Sequence, residues 1–176
     1  MPRFKRSAHR ISLTAMFASM SLVFLYLSAI LPSGSVAAYF LSSVFVMGLV
    51  LEEEMGLAFL MFAAVSLLSL LIMPDLTRTV PYVLFFGHYG IGKYYIERRF
   101  RDKTIVYVLK LLYYNAGLAL IYWLAYGVFQ QDILSAGIPL WAIIVIAEAA
   151  FVLYDYLFTK VTGYYFNNIR RLIMRD

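Results

Sequence analysis

Apolar stretches of membrane-spanning length recur along this 176-residue chain, and that recurrence constrains the fold more than any single motif. The runs lie at about Ile11–Leu31, Val36–Leu51, Met55–Met73, Val80–Ile96, Thr104–Phe129 and Pro139–Lys160. A helix needs about 20 residues to cross a hydrocarbon core about 30 Å thick. Within lipid, every backbone N–H and C=O must be satisfied inside the chain, which favours helices. With 63% hydrophobic and only 14% charged residues, the apolar surface exceeds what one small water-soluble core can hide. The expected fold is an all-α polytopic membrane protein, a compact bundle of six transmembrane helices forming a single domain over 1–176.

The breaks between runs are short: Pro32-Ser33-Gly34-Ser35, Glu52-Glu53-Glu54, Pro74-Asp75, Glu97 to Lys103, and Gln130 to Gly137. Short connections make consecutive helices antiparallel neighbours. Bases gather in three segments: the start over 1–10 (Arg3, Lys5, Arg6, Arg10), the fourth break (Arg98, Arg99, Arg101, Lys103), and the tail over 161–176 with the residue before it (Lys160, Arg170, Arg171, Arg175). Six spans put all three on one side, cytoplasmic by the positive-inside rule, with both termini inside a cell membrane. The opposite side carries Arg78 as its one loop base, and Trp123, Tyr126 and Trp141 fall near that interface as an aromatic belt would. Glu52 to Glu54 read either as the dipole-stabilised first turn of the third helix or as a patch for a basic partner. The first run is longer than the apolar core of a secretion signal, about 7–15 residues, and reads as a retained helix. The tail reads as a helix continuing from the membrane or lying on its inner surface, or as a solvated stub.

A net charge of +5 is arranged beside apolar runs, which fits lipid headgroups and membrane orientation rather than nucleic acid. No cysteine and only two histidines, His9 and His88, speak against disulfides, thiolate chemistry and a metal cluster. No cofactor or metal is expected. Enzymatic motifs fail in turn. An intramembrane protease of the prenyl-protein type would carry an arginine where Leu57 stands after Glu52-Glu53, and an asparagine where Gly92 follows His88. There is no Gly-x-Ser-x-Gly, no phosphate-binding glycine loop and no His-Glu-x-x-His. Glu148 and Asp155 stand seven residues apart, about 10 Å along one helix face, far for a carboxyl dyad. The expectation is a protein that is not an enzyme.

Ionisable residues inside spans are expensive, so each one points to a function or a partner. Lys110 lies about 9 Å into the fifth run and Asp155 about 8 Å into the sixth, measured from the same side, so the two are placed to pair. That pair is either a structural salt bridge or a mobile charge. Asn115 and Glu148 both lie about 17–18 Å deep, slightly past the midplane, where a carboxyl group needs a partner, a proton or a cavity. The fourth run holds Pro81, Gly87, Gly90 and Gly92 among Tyr82, His88 and Lys93, and glycines there permit close packing or local unwinding. Lys93 and Glu97 form an i,i+4 pair. In the first run Ser12, Ala15, Ala18 and Ser19 give a face of small residues, for packing within the chain or against a partner.

The opening Arg10-Ile11-Ser12-Leu13-Thr14-Ala15-Met16-Phe17-Ala18-Ser19 resembles the basic start and small-residue first helix of the S components of energy-coupling-factor (ECF) transporters. The stretch Pro81 to Arg99, with Lys110-Leu111-Leu112-Tyr113-Tyr114-Asn115, also looks like an S-component-like group of Gram-positive bacteria. The resemblance implies six helices with both ends inside and capture of a small organic micronutrient. It also implies docking of the first helix on a coupling membrane subunit that works with separate ATPase subunits. Arg78, Tyr82, His88, Asn115, Trp123, Trp141 and Glu148 are the candidate substrate contacts, with aromatics to enclose a ligand and polar groups to orient it. Small proteins of the rod-shape-determining membrane family have a similar outline, which keeps a scaffold or assembly role open as the alternative. An ion-coupled carrier acting alone would usually show longer, repeated halves.

Overall fold

The computed structural model describes residues 3–31, 34–128 and 139–165, and every regular element among them is helical. Six helices follow in order: α1 (Arg3–Ile30), α2 (Ser35–Leu51), α3 (Met55–Ile72), α4 (Gly87–Arg99), α5 (Lys103–Gly127) and α6 (Leu140–Tyr164). A 3₁₀ turn (Leu76–Arg78) and a π-helical turn (Tyr82–Phe86) lead into α4. The chain divides into two compact units, Met1–Val106 and Tyr107–Asp176.

Four helices are long and apolar enough to cross a membrane: α1 from Arg10, α3, α5, and α6 from Trp141. α2 is apolar but has 17 residues, and α4 has 13 residues that include His88, Lys93, Glu97, Arg98 and Arg99. α1 begins at Arg3, eight residues before the first apolar run, because Arg3 to Arg10 contains no helix breaker. Charge ends an apolar run without ending a helix, so the basic start over 1–10 is helical from Arg3. The Gln130 to Gly137 break and the tail beyond Tyr165 lie outside the described residues, while α6 itself runs four residues past Lys160.

In the first unit α2 packs on α1, α3 and α4, and its second half is buried almost continuously from Val46 to Val50. α1 turns Phe17, Ser21, Leu25 and Ser28 inward, spaced at three and four residues on one face. α3 likewise buries Ala58, Met61, Val65, Ser66 and Ser69. Its outer face carries Phe59, Leu60, Leu67 and Leu71, the last 81% exposed. Small and hydroxylated side chains inside, large aliphatic ones outside, is the distribution a bilayer selects, because lipid is as apolar as leucine and close packing has to hold the helices together.

Two glycines set how closely the helices approach. A Cβ at Gly48 would stand 2.7 Å from Phe17 Cε2, and one at Gly87 would stand 2.7 Å from Phe62 Cδ2. Phe17 is itself buried, so its ring has little room to yield. The Glu52 to Glu54 turn differs from a first helical turn of α3. Glu52 caps the end of α2, Glu53 takes a left-handed backbone (φ 60°), and Glu54 stands immediately before α3. The Glu54 carboxylate forms an ion pair with Arg10 of α1, which fixes the turn against that helix.

Gly48→Ala should destabilise the first unit by about 1–3 kcal/mol through overpacking against Phe17. Gly56→Ala, where an added Cβ meets nothing within 4 Å, is the matched control. Thermal midpoints in detergent compare the two variants, and an equal midpoint for both would contradict the packing described.

Candidate functional site

The second unit supplies the polar contacts deepest in its spans. Lys110 and Asp155 face one another from α5 and α6, with Lys110 Nζ 3.0 Å from Asp155 Oδ2 and both side chains largely buried. Five residues further along α5, Asn115 Nδ2 donates to Glu148 Oε1 at 2.8 Å and to Leu111 O at 3.0 Å. Both amide hydrogens are thereby used. The second Glu148 oxygen, Oε2, is buried and has no hydrogen-bond partner among the described residues. Tyr114 lies beside this pair: its hydroxyl donates to Ala147 O at 2.8 Å, and its ring stacks on Phe151 at 4.4 Å between centroids.

Lys110 precedes Asn115 on α5 while its partner Asp155 follows Glu148 on α6, so the two helices are antiparallel, and their register is fixed at three polar points. Asn115 stands at the middle of α5, about 18 Å from either end. At such depth water is not at hand to stand in for a missing partner. Trp123 and Trp141 belong to the same helices and are 64% and 70% exposed.

Arg78, Tyr82 and His88 lie in the first unit, each held by a different contact. Arg78 Nη1 donates to Ser28 O at 3.3 Å, while its own carbonyl accepts from Tyr39 Oη at 2.6 Å. The 3₁₀ turn that carries Arg78 is capped by Asp75, whose carboxylate accepts from both the N–H and the hydroxyl of Thr77. Those two bonds hold the Asp75 carboxyl below its ordinary pKa. Tyr82 is fully buried, and its hydroxyl lies 3.4 Å from Ser21 Oγ. His88 packs edge-on against Phe62, with ring centroids 5.3 Å apart.

The principal polar cluster of the first unit was missed in the sequence. Ser21 and Ser42 exchange reciprocal bonds, each Oγ donating to the other's carbonyl at 3.0 Å, with the two hydroxyls 2.7 Å apart. Both are fully buried, and with Tyr82 they join α1, α2 and the π turn. The available signal was a hydroxyl within each of two apolar runs, yet serine is small enough to read as a spacer. On α1 the inward face is that of Phe17, Ser21, Leu25 and Ser28. Ser12, Ala15 and Ser19 are exposed and Ala18 is half-buried, with Ser19 Oγ bonded back to Ala15 O at 2.9 Å. Lys93 and Glu97 meet at 3.3 Å on α4, with Lys93 almost wholly buried.

Among the described residues no group of three or more acidic, histidine or cysteine side chains could hold a metal ion. No family model matches the chain, and no curated protein or solved structure matches it either. What the protein does is read from its own residues.

Removing one member of the buried pair, as in Lys110→Met, should cost about 3–5 kcal/mol because the ion pair that Asp155 makes with Lys110 is lost. The double variant Lys110→Met/Asp155→Leu should recover most of that loss. A double-mutant cycle on unfolding in mixed micelles measures the coupling, and additive losses would show that the two charges do not depend on each other.

Proposed function

We propose that this chain is the substrate-capturing membrane subunit of an importer of the ECF type, taking up a small organic micronutrient. In this reading six helices traverse the cell membrane with both termini cytoplasmic. A coupling subunit and two ATPases supply the energy, since the chain carries no nucleotide-binding motif. The observation that carries the proposal is Glu148: one carboxylate oxygen is held by Asn115, and the other is buried without a hydrogen bond among the described residues. A carboxylate kept half-satisfied deep in a span is costly unless another group completes it. A ligand bearing an N–H or O–H donor would do so after a small rotation of the side chain. Trp123 and Trp141, which belong to the same unit as Glu148, are the proposed further contacts. The exposed face of Ser12, Ala15 and Ser19 is the proposed docking face for the coupling subunit, with Ala18 at its edge.

A non-catalytic scaffold of the cell envelope is the second reading. It is favoured by the closed pairing of Asn115 with Glu148 and of Lys110 with Asp155, which cross-link α5 and α6 as static ties would.

Affinity purification from native membranes in mild detergent, with mass spectrometry of proteins and small molecules, separates the two readings. The importer predicts ATPase and coupling subunits together with a metabolite whose recovery drops at least about tenfold in Glu148→Gln, the scale of one lost charge-assisted hydrogen bond. Envelope or division proteins without an ATPase would sink the importer and leave the scaffold.

A further inference from the structure

The connection between α4 and α5 concentrates positive charge more than any other described turn. Arg98, Arg99, Arg101 and Lys103 fall within six residues, and all four are exposed. The two nearby acids are already committed. Glu97 pairs with Lys93, and Asp102 accepts from the Thr104 N–H at 2.8 Å, capping the start of α5. Arg99, Arg101 and Lys103 make no ion pair among the described residues, and Arg98 is steadied by Tyr94, whose hydroxyl accepts from its Nη1 at 2.7 Å.

Depth adds a second constraint. α5 is long and apolar enough to cross a membrane from Lys103 onward, so the turn ahead of it lies at the level of lipid headgroups. Aromatic side chains border the bases there: Tyr95 is 58% exposed, and Phe100, on extended backbone (φ −116°, ψ 133°), is 40% exposed. Guanidinium groups offer paired N–H donors to phosphate oxygens, and interfacial aromatic rings sit between acyl chains and headgroups.

We propose that the Arg98 to Lys103 turn binds the phosphate of an anionic phospholipid, with Arg99, Arg101 and Lys103 as the headgroup contacts and Phe100 inserted beside the acyl chains. The site belongs to the first unit and does not depend on the importer reading. It anchors the end of α4 and the start of α5 at one depth in the bilayer.

Native mass spectrometry of the full chain, purified in detergent with equal amounts of phosphatidylglycerol and phosphatidylcholine, tests this site. The unaltered protein should retain phosphatidylglycerol over phosphatidylcholine by at least about tenfold, given the attraction of several bases for an anionic surface. Arg99→Gln/Arg101→Gln/Lys103→Gln should bring that ratio to about one with an unchanged thermal midpoint, since all three positions are exposed. Arg3→Gln/Lys5→Gln/Arg6→Gln removes the same charge at the start of α1 and should keep the preference. The proposal is overturned if the unaltered protein shows no preference, if the turn variant keeps it, or if the α1 variant loses it equally. Displacement of the lipid by millimolar inorganic phosphate would also overturn it, because the turn would then be a site for a free anion.

Discussion

A polar side chain placed inside an apolar helix has to find its partner on the same chain, because the bilayer core offers none. Most of the tertiary contacts described here follow from that requirement. Ser21 on α1 meets Ser42 on α2, Tyr39 on α2 meets the carbonyl of Arg78, Lys110 on α5 meets Asp155 on α6, and Asn115 meets Glu148. Each bond joins two different elements, across at least 21 residues of sequence. Measured hydrogen bonds between membrane helices contribute only about 0.6 kcal/mol on average, so their main effect is to select one register among many that are similarly apolar.

Packing supplies the cohesion that water would otherwise provide. α2 reaches its central place in the first unit because Gly48 admits the ring of Phe17 and its second half is buried almost throughout. Gly87 does the same for Phe62 at the start of α4. The large aliphatic residues of α3 point outward, where in a soluble protein they would form the core. The Arg10 and Glu54 pair then closes the cytoplasmic turn of the proposed orientation without drawing on apolar burial.

Much of this was legible in the chain, and the reasons differ from residue to residue. Depth arithmetic sets Lys110 level with Asp155 and Asn115 level with Glu148, and antiparallel neighbours joined by one loop bring equal depths together. Helix lengths were less legible, since apolar runs end at charges while α1 continues back through Arg6 and Arg3. Serine hydroxyls in an apolar run gave no periodic signal, so the bond from Ser21 to Ser42 emerged only in three dimensions. The Arg10 to Glu54 pair joins positions far apart in sequence, and nothing local announces it. Trp123 and Trp141 show why a ligand site is harder to read than a span. An amphipathic ring bordering lipid and one bordering a solute look the same in sequence.

The π-helical turn at Tyr82–Phe86 widens the path into α4 by one residue, and a helix advances about 100° per residue. Everything beyond the turn is therefore phased by it: Gly87 against Phe62, Tyr89 in the interior, and Lys93 with only 2% of its surface exposed. Deleting a single residue there would leave composition, hydropathy and loop lengths almost unchanged, yet it would rotate Lys93 out of its burial and swing Arg98 and Arg99 to another side of the helix. Relatives of this chain should thus tolerate substitution in the turn far better than any change in its length.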